Sequence, residues 1–396
     1  MLASEFVLDP SYIMLNSMLL SSHPKTVREA ITKFDSELDK SPGSFWLQNF
    51  REFDARNCQW AARYLGCSAE QICLVDSATV GLGLIYNGLL LDAGSEILVS
   101  DQEHYATLKS IEYASSHGEF SIRKMIWYDE PATVDKDRIL SSLKAAISEK
   151  TRVIAITWVH SSTGVKLPVA EICHYIGDLN KTREQKILTV IDGVHALGVE
   201  DFHVNDLGCD LFVSSCHKWL FGPRGTGLIY LKPGVEAFLR PSIPTYNAYS
   251  YENWRARVEK VKVPLAHEMA PGGFQSFSHK WALYKAFEMH LEVGKKQIQD
   301  RTYGLAKYLK ERLSKIPGIR LLTPISEKFS AALVVFDVEG VSPSLVVDYL
   351  AKYKILATVT PYFRQYVRFS PAVYNTQEEL DIAVDHLCRG LDERFA

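Results

Sequence analysis

The chain has 396 residues, with 44 Lys and Arg against 47 Asp and Glu, for a net charge of −3. That near balance lacks the basic footprint of a nucleic-acid binder. No apolar run approaches the ~18 residues that suggest a membrane span, and the N-terminal stretch, with Glu5 and Asp9 and no basic region, does not read as a secretory signal. At a prior of ~150 residues per domain the length predicts two or three domains, or one large domain with an appendage. Seven scattered cysteines (Cys58, Cys67, Cys73, Cys173, Cys209, Cys216 and Cys388) form no CxxC pair. They read as reduced thiols in a cytoplasm, with neither a disulfide framework nor a metal site.

In chain order, short apolar runs of strand length occur at 72–75, 96–99, 153–159, 187–191, 211–214 and 227–231. Amphipathic stretches around 79–91, 104–117, 136–148 and 168–180 lie between them. Strands alternating with helices of this size predict βαβ units and a mostly parallel sheet. Runs such as VIAITWV, with almost no polar alternation, fit strands covered on both faces. The stretch 232–275 changes character, with Pro241, Pro244, Pro264 and Pro271 and a cluster of Tyr246, Tyr249 and Tyr251. It reads as an irregular, functional loop region. A long helical pattern over 278–313 is interrupted near Gly294, and the tail then repeats short strands and helices as a compact α/β unit. The expected organisation is an N-terminal arm (1–20), a large domain (21–290) and a small C-terminal domain (291–396).

Chemistry concentrates in 187–231, where VIDGVHALG is followed by SSCHKWLFGPRGTG. Asp192 closes a buried strand, where open α/β sheets place ligand-binding groups. Lys218 lies in a loop bounded by a strand and a Gly/Pro-rich turn, with Ser215 and His217 beside it. An Asp and a Lys on adjacent strand ends make an ordinary ion pair in most proteins. Here the loop GPRGTG leaves backbone amides free to cradle a phosphate. Phosphate donors, an amine and a carboxylate together are what pyridoxal phosphate requires.

The run DGVHALG…SSCHKWLFGPRGTG, with PGGFQSFSHKWAL at 271–283, resembles the class V aminotransferase group of fold-type-I pyridoxal-phosphate enzymes, and most of all its epimerase-like and C–S lyase branch. The resemblance covers nearly the whole chain. It implies an α/β fold with a mostly parallel seven-stranded sheet in the large domain and a smaller C-terminal α/β domain. It also implies pyridoxal 5′-phosphate as cofactor, a small amino-acid substrate, no metal, and a homodimer with shared active sites. Lys218 would form the Schiff base and act as general base at the α-carbon. Asp192 would keep the pyridine nitrogen protonated, and His104 would stack on the ring. Ala78 and Thr79, in VDSATVGLG, sit where a helix N-terminus would bind the phosphate; an ordinary helix cap is the plainer reading of these residues alone.

His195 matches a residue near the ring oxygen and is also a candidate proton shuttle, with an unperturbed pKa of ~6.5. Ser162 stands where relatives often carry an asparagine. Arg368, in YVRFSPAVYNT, matches the arginine that binds the substrate carboxylate, with Arg364 as the fallback. Gly272, Gly273 and Ser276 correspond to a segment that crosses the dimer interface. The N-terminal YIMLNSMLL departs from the usual glycine-containing entry, which places Asn16 near the substrate and makes Met18 and Leu19 markers of an unusual one. Trp158 and Tyr246, with Tyr249 and Tyr251, are expected to line an extended pocket for a bulky or cationic amino acid; packing on one another is the equal alternative. A persulfide-forming desulfurase needs a cysteine on a loop before the arginine motif, and none lies between Cys216 and Cys388. The expected activity is lyase or epimerase chemistry at the α- or β-carbon of a modified amino acid in specialised metabolism. Alternatives are C–C bond formation or cyclisation, transamination, and a non-catalytic scaffold.

Overall fold

Between residues 72 and 231 the alternating runs close into one seven-stranded sheet. The computed structural model describes residues 2–395. A two-residue strand near the N-terminus, β1 (Ile13–Met14), lies outside that sheet. The sheet itself comprises β2 (Ile72–Val75), β3 (Glu96–Ser100), β4 (Ser121–Met125), β5 (Thr151–Thr157), β6 (Leu188–Asp192), β7 (Leu211–Ser215) and β8 (Gly227–Leu231), in the order β2-β8-β7-β6-β5-β3-β4. Only β8 runs against its neighbours; the other pairings are parallel. The expected mostly parallel seven-stranded architecture is therefore present.

Alternate residues of each strand enter two different cores. On β5, Val153 and Ala155 pack with Leu82, Ile85 and Ile111, from α3 (Ala78–Gly88) and α4 (Tyr105–Ser115), named here after α1 (Lys25–Lys40) and α2 (Pro42–Leu65). Ile154 and Ile156 face the other way, toward Ile139 of α5 (Lys136–Ala146), Ile172 of α6 (Val169–Leu179) and Trp281 of the helix Phe277–Val293. This double burial is why the strand reads as a continuous apolar run.

Two segments differ from the sequence reading. The edge strand β4 is SIRKM, mostly exposed, and its polar composition hid it. The 232–275 region is not wholly irregular: it contains the helices Ala248–Ala256 and Leu265–Met269. Asn247 caps the first by accepting the Tyr249 N–H at 2.9 Å, and Pro264 immediately precedes the second, where its missing N–H costs nothing. Proline and tyrosine content obscured two short helices that begin beside these residues.

Past the helix pair Phe277–Val293 and Lys295–Leu313, a four-stranded antiparallel sheet forms from β9 (Ile319–Leu321), β10 (Val334–Val338), β12 (Thr358–Val359) and β13 (Val367–Phe369), with β11 (Ile355–Leu356) pairing instead with β1. The order is β12-β13-β10-β9. The N-terminal arm is thus stitched to the C-terminal sheet: Asn16 bridges Ser370, and the Met18 N–H donates to Ser370 Oγ at 3.2 Å. Among the described residues, no helix is long and apolar enough to cross a membrane.

Candidate active site

The C-terminal ends of the central strands, where open parallel sheets bind ligands, surround a cavity of about 180 Å³. Thr157 closes β5, Asp192 closes β6 and Ser215 closes β7; the start of α3 and the turn before α4 complete the wall. Lys218 reaches the same cavity from the loop after β7. That loop packs tightly against the one after β6. Gly198 adopts φ +87°, and a Cβ there would come within 2.3 Å of the Trp219 backbone. The second glycine of DGVHALG, Gly198, therefore lets the carboxylate loop and the lysine loop lie against each other.

Asp192 is buried, and its Oδ1 accepts the Val194 N–H at 3.0 Å. Burial raises its pKa, while His104, the Val194 amide and Lys218 pull it back down. The Lys218 amine is pushed from 10.5 to about 8, chiefly by desolvation, with Asp192 opposing and Arg368 adding to the drop. Near neutral pH a useful fraction is the free amine, the form that attacks a carbonyl or takes a proton.

Two of the three cavity histidines, His104 and His195, have assigned roles for their ring nitrogens. His104 caps α4, its Nδ1 accepting the Ala106 N–H at 3.2 Å. His195 Nδ1 accepts the indole N–H of the fully buried Trp219 at 3.1 Å. Each neutral ring therefore carries its proton on Nε2. Burial lowers both pKa values, and that of His195 falls well below its usual range with Lys218 and Arg368 nearby. A neutral His195 with a fixed tautomer is a hydrogen-bond donor; burial disfavours the charged form that a proton shuttle needs.

At the start of α3, Ser77 Oγ accepts the Val80 N–H at 3.2 Å, and Ser215 Oγ accepts the Ala78 N–H at 2.8 Å. Thr79 stands exposed in the first helical turn and lines the cavity. His217 lines it as well, and its Nδ1 is buried with no hydrogen-bond partner. A helix N-terminus, two hydroxyls and an orphaned imidazole nitrogen are suitable anion donors.

Arg368, on β13, is 3% exposed. Its Nη1 donates to the Ser161 carbonyl at 2.7 Å and its Nε to Thr358 Oγ1 at 3.1 Å. Both acceptors are neutral, and Nη2 is engaged in neither bond. Desolvation lowers the Arg368 pKa to about 10, so it stays charged. Ser161 lines the cavity, and its Oγ lies 2.6 Å from the Tyr362 hydroxyl.

Other expected residues lie elsewhere. Ser162 is half-buried next to Ser161, but Ser161 is the serine in the cavity wall. The Trp158 ring points into the core, edge-on to Phe202 at 4.8 Å. Tyr246 is 67% exposed and, with Tyr249, Gly272 and Gly273, lines a separate groove of about 320 Å³. Tyr251 is exposed and tilts against Trp254, and Ser276 precedes the helix Phe277–Val293. Asn16 is half-buried in the arm; Met18 is buried and Leu19 exposed, while Arg364 is exposed on the loop before β13. The sequence reading did not single out Ser161, Thr157 or Tyr362. Two adjacent serines past a strand end carry no alternation to separate them, and Tyr362 lies 201 residues from its partner.

The strand-end carboxylate, the loop lysine and the helix start fit pyridoxal phosphate. Asp192 would hold the ring nitrogen, His104 the ring face, His195 the ring oxygen, and the α3 start with Ser215 and His217 the phosphate. Fold and site together define a fold-type-I pyridoxal 5′-phosphate enzyme. Residues 54–382 match the class-V aminotransferase family, and the chain belongs to it. It is 27% identical over 390 residues to isopenicillin N epimerase from Streptomyces clavuligerus, covering 96% of this chain and 95% of that one. It is 26% identical over 365 residues to a cysteine desulfurase from Yersinia pestis, covering 87% and 84%. Among solved structures, C-DES, named a cystine C–S lyase, superposes with a TM-score of 0.85 at 19% identity over 96% of this chain and 97% of that chain, in a form with glycine covalently linked to its PLP cofactor.

Proposed function

We propose that the protein acts at the α- or β-carbon of a modified amino acid by epimerase or C–S lyase chemistry, with Lys218 as its working base. The observation that carries this is a pair of cations, Lys218 and Arg368, set within electrostatic reach of one another at one site with Asp192. The Arg368 guanidinium has only neutral hydrogen-bond partners. A buried cation without a counter-ion is costly, and a substrate carboxylate placed on Nη2 would supply one.

When bound, pyridoxal phosphate supplies an electrophilic carbon for amines and a sink for charge released at the α-carbon. The protein's own residues do the rest. Arg368 orients the carboxylate and thereby the α-carbon. Lys218, with its lowered pKa, takes the α-proton onto Nζ. Asp192 offers fixed negative charge deep in the cavity, and His195 donates Nε2–H from a ring pinned by Trp219. Delivery of a proton to the opposite face by a donor other than Lys218 gives an epimer; loss of a β-sulfur substituent gives elimination. Persulfide formation on a protein thiol is not part of this reading. Cys216, two residues from Lys218, is buried, and desolvation raises its thiol well above the usual range.

The protein would work as a homodimer in the cytoplasm. Ile243, Tyr246, Tyr249, Tyr251, Trp254 and Phe274 are all exposed along one region, a concentration of aromatic surface that supports a partner subunit.

The test is proton exchange in D2O. Protein loaded with pyridoxal phosphate is incubated with cystine, cysteine sulfoxides and basic or cyclic L-amino acids, and the α-proton signal is followed by NMR. At least one substrate should lose that signal with wild type and keep it with Lys218→Ala. Chiral and thiol analysis then separates epimer from elimination product. Exchange that persists in Lys218→Ala would contradict the assignment of the base.

A further inference from the structure

Beneath the cavity lies a polar layer that the chemistry above does not use. Glu103, the residue before His104, and His160, the residue before Ser161, are both 0% exposed. Glu103 Oε1 accepts the Trp127 Nε1–H at 3.1 Å. His160 Nδ1 lies 2.7 Å from the Tyr128 hydroxyl, which is also 2.7 Å from Thr163 Oγ1. His160 Nε2 is buried with no hydrogen-bond partner, and Glu103 Oε2 has only the neighbouring Thr157 hydroxyl and amide to draw on, which lower the Glu103 pKa. Nε2 stands 4.0 Å from Glu103 Oε1. That is too long for a direct hydrogen bond and suits a single bridging water.

We propose that Glu103 and His160 are a positioning pair that holds one buried water between them, and that this bridge sets the His104 turn and the Ser161 turn in fixed register on either side of the cofactor cavity. The proposal rests on the reading of that cavity as the pyridoxal-phosphate site. Leaving His160 Nε2 buried without a partner would be destabilising, and the bridge supplies one. Desolvation raises Glu103 to about 8 and lowers His160 to about 3, so at neutral pH an acid faces a neutral imidazole. One proton arrangement then satisfies the chain. The Glu103 O–H donates to the water, the water donates to Nε2, Nδ1–H donates to Tyr128, and Tyr128 donates to Thr163.

The arrangement depends on Glu103 staying neutral. The titratable groups that feel its charge are Asp192 from β6, Tyr86 from α3, Tyr128 after β4 and Tyr362 before β13. Ionising Glu103 sets a second buried carboxylate near Asp192. One of the two must then take a proton or admit more water. The cavity loses either its carboxylate or the turn that carries His104.

The test uses the full-length apoprotein and 4′-deoxypyridoxine 5′-phosphate, a cofactor analogue without the aldehyde, so that bonding to Lys218 plays no part. Binding is followed by tryptophan fluorescence between about pH 6 and about pH 9.5 for wild type and Glu103→Gln, a neutral isostere that keeps a donor and an acceptor. The ratio of wild-type to variant affinity should hold steady below about pH 7 and fall about tenfold by about pH 9.5. Infrared difference spectra at neutral pH should show a protonated-carboxyl stretch in wild type that Glu103→Gln lacks. An affinity ratio that does not change with pH, or absence of that stretch, would overturn the positioning role and leave the site intact. Failure of the analogue to bind either protein would overturn the site reading and the proposal together.

Discussion

Replacing Lys218 with methionine should stabilise the apoprotein while abolishing its chemistry. Desolvation in the cavity wall lowers the pKa of the amine from 10.5 to about 8. Between those values the unfolded chain binds a proton that the native chain does not. Stability is therefore full above about 10.5, is lost as pH falls toward about 8, and stays low below it. At about 1.4 kcal/mol per pH unit the penalty at neutral pH is at most ~3 kcal/mol. Lys218 is only partly buried and lines a cavity that admits water, and Asp192 loses a compensating charge in the variant. A net gain of ~1–2 kcal/mol is therefore expected. Urea denaturation of apoprotein, wild type against Lys218→Met, measured from about pH 6 to about pH 10.5, reads this directly. The difference should be largest below about pH 8 and shrink toward zero at the alkaline end. A variant less stable than wild type at neutral pH, or a difference that does not change with pH, would refute the claim that Lys218 is held in a destabilised charge state.

Three other substitutions probe separate parts of the site. Arg368→Lys keeps the charge but loses the planar fork, and should reduce kcat/KM for the amino-acid substrate about 100-fold, or ~3 kcal/mol, with cofactor binding unchanged in an absorbance titration. Trp219→Phe removes the donor to His195 Nδ1 and frees the tautomer; turnover should fall about tenfold, and 15N NMR of the histidine ring should show a mixed tautomer where wild type shows Nε2–H. Cys216→Ala should leave turnover within about twofold, because its buried thiol takes no part; a loss comparable to Lys218→Ala would return a thiol mechanism to consideration.

Where the sequence was legible, a strong physical constraint wrote itself into composition. The central strands are covered on both faces, so VIAITWV and KILTVID announce themselves as unbroken apolar runs, and Asp192 stands out as the charge that ends one. Lys218 is readable from the glycines and proline that follow it. The edge strand SIRKM faces solvent, so no apolar signal marks it. Residues whose role depends on partners distant in the chain were not readable either. Ser161 meets Tyr362 and Arg368 across 201 and 207 residues, and nothing in SSTG separates it from Ser162. Trp158 offered an aromatic side chain near the right strand end, yet strand geometry turns it to the core and leaves Thr157 facing the cavity. Tyr246 belongs to a different groove because the chain from 232 to 275 folds back over α2, a placement no local pattern encodes.

The central claim is that Lys218 is the residue that bonds pyridoxal phosphate. Protein loaded with the cofactor, reduced with borohydride and digested, reports the bonded residue by peptide mass spectrometry. The phosphopyridoxyl mass should appear on the peptide containing Lys218 and vanish in Lys218→Ala. A label on another lysine, or no label in loaded wild-type protein, would contradict the account.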